Sequence, residues 1–179
     1  AIALAREAWD RSSHGNSNQN YRYTSYYPGR TTRPTDALLR SLHQYYVKAG
    51  RSEDLVQEFT KRLDQQPGSV QLHENLATLH QLNNDRESAI IIYEALILKR
   101  PHLTQAKQTL ARFHSETGNF AKATEIYEKL LKTNPNIYQQ ISWELRNLYQ
   151  RSGKGKEITE MEKNLAKRAT NPNQIQQLA

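Results

Sequence analysis

Residues 68–101 read GSVQLHENLATLHQLNNDRESAIIIYEALILKRP, and residues 102–135 read HLTQAKQTLARFHSETGNFAKATEIYEKLLKTNP. The second stretch repeats the first with a period of 34 residues. Small and apolar residues match across the two stretches: Leu76 with Leu110, Ala77 with Ala111, Ala89 with Ala123, Tyr93 with Tyr127, Leu96 with Leu130, and Pro101 with Pro135. A fixed period of this length predicts structural units that stack on one another.

Each stretch carries two apolar stripes at the spacing of an α-helix, separated by a turn. In the first stretch the stripes are Leu72, Leu76 and Leu79, then Ala89, Tyr93 and Leu96. The turns are predicted at Asn83-Asn84 and at Gly118-Asn119, and the proline that ends each stretch stops the second helix. Because one helical hairpin cannot bury its own apolar face, neighbouring hairpins are expected to stack.

The order Leu-Ala, then Ala-x-x-x-Tyr, then Pro resembles the tetratricopeptide repeat, which has Leu-Gly, Ala-x-x-x-Phe and Pro at these places. The resemblance implies an all-α fold, a right-handed α-solenoid of about four helix-turn-helix repeats. It also implies that the first helices of the repeats line a concave groove that binds a peptide.

The period predicts four repeats, at residues 34–67, 68–101, 102–135 and 136–168. The last repeat needs one extra residue near Trp143 to stay in register. Residues 1–10 are predicted to form a helix, which fits equally the end of a truncated preceding repeat or a separate capping helix. Residues 169–179 echo the opening of the fourth repeat, and we expect either the start of a further repeat or a C-terminal tail.

Residues 11–33 break the periodicity and are rich in Ser, Asn and Tyr. A loop of this length is typically either functional or disordered. Three interpretations stay open: a surface loop whose tyrosines pack on the repeats, a segment that docks a partner, and a nucleic-acid contact in which Tyr stacks on bases and Arg meets phosphates.

Composition limits the class of protein. Only 36% of the residues are hydrophobic, which suits a thin stack of repeats better than a globule, and there is no Cys for a disulfide or a thiolate metal site. No apolar run is long enough to span a membrane, so a cytoplasmic location is the default expectation. The net charge of +7 resides mainly at the two ends, because residues 1–35 carry +3 and residues 136–179 carry +3.

The sequence shows no credible catalytic, cofactor or metal site. His73, Glu74 and His80 do not form the H-E-x-x-H pattern, because the two histidines are seven residues apart. Residues 153–156 read GKGK, which lacks the upstream Gly and the Ser or Thr of a phosphate-binding loop. We therefore expect no catalytic residue, no metal, no cofactor and no enzymatic activity.

The candidate groove follows from the resemblance, which assigns the exposed face of each first helix to partner binding. The candidates are Arg40, Gln44 and Lys48 in the first repeat, Gln71, Glu74, Asn75 and Thr78 in the second, Gln105, Gln108, Thr109 and Arg112 in the third, and Asn147 and Arg151 in the fourth. Their amide groups can bond an extended peptide backbone, and Arg can bind a carboxylate.

A second candidate surface is an apolar stripe formed by Ile91, Ala95 and Leu98, on the side of its helix expected to face outward. The same places are polar in the neighbouring repeats: Gln57, Lys61 and Asp64 in one, and Glu125, Lys129 and Lys132 in the other. Because contiguous exposed apolar area usually marks a contact, we expect residues 11–33 or another chain to cover it.

These observations favour a non-enzymatic module for protein–protein interaction, acting as a scaffold or adaptor through the groove, the apolar stripe, or both. A protein or peptide partner is expected, within a larger complex or outside one. The alternatives are a nucleic-acid-associated helical-repeat protein that uses the basic ends, and the targeting arm of a larger enzyme.

Overall fold

The computed structural model describes residues 2–14 and 34–168, without the side chains of residues 12–14, 34–35 and 165–168. Most of the segment 11–33 and the whole tail 169–179 lie outside the described residues. The regular elements of the described part are all helices, as predicted: α1 Ile2–His14, α2 Pro34–Lys48, α3 Ser52–Gln65, α4 Val70–Leu82, α5 Arg86–Lys99, α6 Thr104–Glu116, α7 Phe120–Thr133, a short 3-10 turn Pro135–Ile137, α8 Tyr138–Arg151 and α9 Gly155–Arg168.

Helices α2 to α9 form four hairpins, and each hairpin turn contains one residue in the left-handed backbone region. These residues are Gly50, Asn84, Gly118 and Gly153, with φ of 68°, 61°, 82° and 74°. Gly and Asn are the residues that tolerate this region best. The four positions are separated by 34, 34 and 35 residues, so the turns follow the sequence period and its one extra residue.

Residues 1–99 form one compact unit, which contains α1 to α5. Its core is built from α1 to α4 and comprises Trp9, Leu39, Leu42, Tyr46, Leu55, Phe59, Leu76 and Leu79. Helix α1 runs through His14, four residues beyond its predicted end at Asp10. Arg11 and Glu7 form an ion pair one helical turn apart, which supports the helix past the predicted end.

Residues 100–179 form the second compact unit, which contains α6 to α9. Its core includes Ala111, Ala123, Tyr127, Leu130, Ile141, Leu145, Leu148 and Tyr149. Two buried tyrosine hydroxyls join its helices, because Tyr138 donates to Glu162 and Tyr149 donates to Glu128. Burial, together with the bond to Glu162, raises the pKa of Tyr138 to about 12. Hairpins stacked in this way within each unit form an α-solenoid architecture, as predicted.

Candidate functional site

The three candidate residues of α2 lie on one solvent-facing side of that helix. Arg40, Gln44 and Lys48 follow one another at intervals of four residues, and all three side chains are exposed. Residues at this spacing share a helical face, so α2 presents a polar strip with two positive charges.

The candidates of α4 are engaged in local hydrogen bonds. Asn75 is only 3% exposed, and its Oδ1 accepts a hydrogen bond of 2.8 Å from Gln71 Nε2. Thr78 Oγ1 donates to the carbonyl oxygen of Glu74 at 2.8 Å. Asn75 was expected on an open groove face, but the structure encloses its side chain, so a partner reaches little of it.

Gln71 and Asn75 line a cleft of about 330 Å³ within the first unit. Its other walls come from α1, from α3 and from the start of α4: Trp9, Phe59, Arg62, Gln65, Gln66, Ser69 and Leu72. Helix α1 therefore supplies a wall that the repeat pattern did not predict. The candidates of α2 do not line this cleft, so the structure does not bring the α2 and α4 candidates together in it.

In the second unit, we group the candidate residues of α6 and α8 as one candidate surface. We call it the α6/α8 face and define it by Gln105, Gln108, Arg112, Trp143, Asn147 and Arg151. On α6 the members are spaced by three and four residues, and on α8 by four and four, so each set occupies one side of its helix. Gln105, Arg112, Trp143 and Arg151 are exposed, and Gln108 and Asn147 are half-buried.

The charge of Arg112 on α6 acts on the carboxyl of Glu144 on α8. Burial raises the pKa of the Glu144 carboxyl, and the positive charge of Arg112 partly opposes that rise. The same two charges act on the buried hydroxyl of Tyr127, whose pKa is raised chiefly by burial. Tyr127 donates weakly to the carbonyl oxygen of Gln108, at 3.5 Å. Arg112 on α6, Glu144 on α8 and Tyr127 on α7 thus influence one another electrostatically.

Two groups on the α6/α8 face have distinctive surroundings. The guanidinium carbon of Arg151 lies 4.4 Å from the centre of the Phe120 ring, a cation–π geometry that orients this exposed cation. The side-chain nitrogen Nε2 of Gln108 is buried and has no hydrogen-bond acceptor among the described residues.

Sequence reasoning missed two residues of this region, Trp143 and Glu144. Trp143 is 72% exposed although its ring is large and apolar. The repeat lengthens to 35 residues here, so Trp143 corresponds to Gln108 and shares a helical side with Asn147 and Arg151. Treating Trp143 as an extra residue to be skipped removed it from the predicted groove. Shifting the register by one residue would have placed it there.

The predicted apolar stripe is exposed. Ile91 and Leu98 are 63% and 85% exposed, and Ala95 between them is exposed as well. The opposite side of α5 is buried through Ala89, Tyr93 and Leu96. The predicted cover by residues 11–33 involves a segment that lies mostly outside the described residues, so that part stays a prediction.

The described part of the chain contains no group of three or more His, Asp or Glu side chains placed to hold a metal ion. Three histidines have hydrogen-bonding roles in the fold instead. His43 Nε2 donates to Asn83 Oδ1 at 2.7 Å, His73 Nδ1 to Ser69 O at 2.8 Å, and His80 Nδ1 to Asp85 Oδ2 at 3.0 Å. None of the described helices combines the length and the apolar character needed to cross a bilayer.

Comparison with known proteins agrees with this architecture. Residues 104–137 match the family model described as tetratricopeptide repeat. Two crystal structures of MamA superpose with TM-scores of 0.53 and 0.54 at 19% identity, covering 73% of this chain and 71% and 76% of the MamA chains. No curated protein sequence matches the chain.

A tetratricopeptide repeat protein from Parabacteroides merdae superposes over 93% of this chain and 60% of its own, with a TM-score of 0.55 and 17% identity. At such identities the solved structures establish the fold. The sequence match concerns one repeat, and the four turns recur with the 34-residue period of that repeat. Residues 104–137 thus match a tetratricopeptide repeat in sequence, and the chain as a whole shares the α-solenoid fold of tetratricopeptide repeat proteins.

Proposed function

We propose that the chain is a protein-interaction scaffold whose α6/α8 face binds an extended, acidic segment of a partner protein. The tetratricopeptide repeat at residues 104–137 and the α-solenoid fold support a protein-interaction scaffold in general. The observation that carries the finer proposal is the exposure of Trp143, which is 72% exposed on the same helical side as Asn147 and Arg151. Exposed tryptophans flanked by polar groups are frequent anchors of protein interfaces.

The charge of the second unit supports an acidic partner. Residues 100–179 contain 13 basic and 7 acidic residues, a net charge of +6, whereas residues 1–99 carry a net charge of +1. On the α6/α8 face itself, Arg112 and Arg151 are exposed cations. Each can bind a carboxylate through two parallel N–H groups. Glu144 is half-buried, and the positive charge of Arg112 acts on its carboxyl.

The amide side chains of the face suit an extended backbone rather than a helix. Gln105, Gln108 and Asn147 each offer donors and an acceptor, which an extended peptide needs because its own N–H and C=O groups are unpaired. We propose that Trp143 contacts an apolar side chain between two acidic ones.

The candidates of the first unit remain part of the proposal as a second contact area. Arg40, Gln44 and Lys48 on α2 are exposed and carry two positive charges, so they also suit an acidic segment. Asn75 contributes least, because it is almost fully enclosed.

Binding of single-stranded nucleic acid is the second candidate function. The same exposed Trp143 and the same net charge of +6 are what base stacking and phosphate contacts require. The amide-rich composition of the face favours the peptide, because phosphate recognition relies chiefly on Lys and Arg.

The test is isothermal titration calorimetry of the full chain with extended peptides that place one apolar residue between acidic, neutral or basic flanks. We expect measurable binding to the acidic peptide alone. Trp143→Ala and Arg112→Ala should each weaken it by about tenfold or more. Lys132→Ala removes the same charge as Arg112→Ala from an exposed site on α7, and it should leave binding nearly unchanged.

Two further arms separate the candidate functions. The first is titration with a single-stranded oligonucleotide. If it binds more tightly than the acidic peptide, and its affinity falls steeply as salt is added, nucleic acid rather than a peptide is the ligand. Equal binding of all three peptides would contradict the acidic specificity. Failure of Trp143→Ala to weaken binding would remove the α6/α8 face as the site.

A further inference from the structure

Helix α5 is apolar on its outer side as well as on its inner side. From Ala89 to Leu98, Glu94 is the one charged residue, and the stripe of Ile91, Ala95 and Leu98 faces solvent. A helix that is hydrophobic all round normally lies buried within a larger assembly. The corresponding places on α3 and α7 carry only polar side chains, so the feature is specific to this helix.

From this surface we infer that the chain self-associates, with α5 packing in parallel against α5 of a second copy. The intervals of four and three residues between Ile91, Ala95 and Leu98 are those of the core positions d, a and d of a coiled coil. Ala95 at the central position lets the two helix axes come close together. Since the fold already holds α5 as a helix, the pairing does not have to nucleate one.

The charges beside the stripe determine the orientation. Glu94 and Lys99 flank the stripe on opposite sides, at positions g and e of the same pattern, and both are exposed. In a parallel pair, Glu94 of one copy meets Lys99 of the other, five residues further on, and the contact occurs twice. In an antiparallel pair centred on Ala95, the two copies of Glu94 would lie side by side and repel. The charge pattern therefore favours a parallel pair.

The net charge of the first unit permits the association. Residues 1–99 carry only +1, so two copies of this unit meet with little long-range repulsion. Lys99 Nζ also donates to the carbonyl oxygen of Pro67 at 3.2 Å, an exposed bond that leaves its other two N–H groups for Glu94 of the second copy. Because the contact is one helix wide, we expect a weak, reversible dimer rather than an obligate one.

Sedimentation velocity of the full chain tests the inference over about 1 µM to 1 mM, the range of weak protein interfaces. The wild-type chain should shift reversibly from monomer to dimer as its concentration rises. Leu98→Gln should remain monomeric throughout. Leu4→Gln removes the same apolar group from another exposed site, 72% exposed on α1, and should dimerise like the wild type. Thermal melts should show both variants folded.

Charge reversal tests the parallel register. Glu94→Lys and Lys99→Glu should each weaken dimerisation, roughly tenfold, because each turns two attractive contacts into two repulsive ones. An equimolar mixture of the two variants should dimerise again, since every contact between positions 94 and 99 then joins opposite charges.

Three results would overturn the inference. A wild-type chain that stays monomeric at every concentration would assign the stripe to a different occupant, either residues 11–33 or another protein. A dimer that Leu98→Gln leaves intact would place the contact elsewhere. A mixture no stronger than its separate variants would show that the helices do not pair in parallel. The residues changed in these variants are not part of the α6/α8 face, so peptide binding at that face is tested separately.

Discussion

The indole of Trp9 meets the ring of Phe59 edge to face, with ring centres 5.8 Å apart and planes inclined by 61°. This contact joins α1 to α3 at the centre of the first unit, and charged groups surround it. The guanidinium carbon of Arg62 lies 5.4 Å from the centre of the Phe59 ring, and Arg62 also forms a 3.4 Å ion pair with Asp10. Helix α1 is therefore an integral part of the unit.

We expect Trp9→Ala to lower the free energy of unfolding by about 3–5 kcal/mol, because truncating a fully buried aromatic residue removes its burial and leaves a cavity. Urea denaturation followed by circular dichroism measures the change. Leu4→Ala lies on the same helix at an exposed site and should change stability by no more than about 0.5 kcal/mol. If Trp9→Ala lowered the free energy of unfolding as little as Leu4→Ala, the packing of α1 would contribute nothing to stability.

Glu144→Gln should stabilise the chain at neutral pH. Burial raises the pKa of Glu144 in the folded state, so the folded chain holds this proton more tightly than the unfolded chain does. Stability from this group is therefore full below the unfolded pKa and falls as the pH rises through the folded one. The gain from Glu144→Gln in thermal melts should appear at pH 7 and vanish near pH 3.

Glu125→Gln provides a control of opposite sign. The hydrogen bond from Lys129 lowers the pKa of Glu125, which is an exposed residue on α7. Its charge therefore stabilises the fold at neutral pH, and the substitution should be neutral or slightly destabilising there. If both substitutions change the melting temperature in the same direction, burial does not govern Glu144.

Asp85 caps the start of α5. Asp85→Ala should therefore lower the free energy of unfolding by about 1 kcal/mol at pH 7. Its Oδ1 accepts from the backbone N–H of Ser88 at 3.0 Å, and its Oδ2 accepts from His80. The bonds to Ser88, followed by His80, lower the pKa of Asp85. Its contribution is therefore present above the unfolded pKa and is lost as the pH falls through the lower, folded value.

Chemical denaturation of Asp85→Ala and the wild type between pH 7 and pH 2 measures this contribution. The difference between the two chains should shrink on acidification. Asp85→Asn keeps an oxygen acceptor for the cap without the charge, so it should lose less than Asp85→Ala. A constant difference at every pH would contradict the charged cap.

Gly118→Ala should destabilise the second unit by about 1 kcal/mol, because φ at this turn is 82° and a Cβ is strained in the left-handed region. No neighbouring atom lies within 4 Å of the added Cβ, so the effect isolates the backbone. Gly155→Ala has equally open surroundings but no left-handed backbone, and it should be neutral or slightly stabilising. Thermal melts of the two variants provide the comparison.

The periodic part of the fold could be predicted from the sequence because each turn needs a residue of restricted type. Gly50, Asn84, Gly118 and Gly153 satisfy a backbone requirement that few other residues meet. The apolar residues that recur with the period, such as Leu76, then determine the buried side of each helix. Both requirements act within a single hairpin, so their sequence signals recur each time the hairpin is repeated.

The candidate site was less predictable, because its features arise where the repeat is broken. Trp143 was missed since the period lengthens by one residue at that point. Asn75 was expected to be open, yet Gln71 bonds it and it lies in the cleft walled by Trp9, a residue outside the repeats. The half-burial of Glu144 depends on contacts between helices, which no spacing within one helix reveals.

The contrast between Trp9 and Trp143 gives the chain two built-in optical reporters. They are the only tryptophans in the sequence, with one in each compact unit. The 2% exposed Trp9 should emit at short wavelength and resist acrylamide quenching, whereas the 72% exposed Trp143 should emit near the wavelength of indole in water and be quenched readily. The emission spectrum of the unmodified chain can therefore report, in the same sample, the unfolding of the first unit through Trp9 and ligand binding at the α6/α8 face through Trp143.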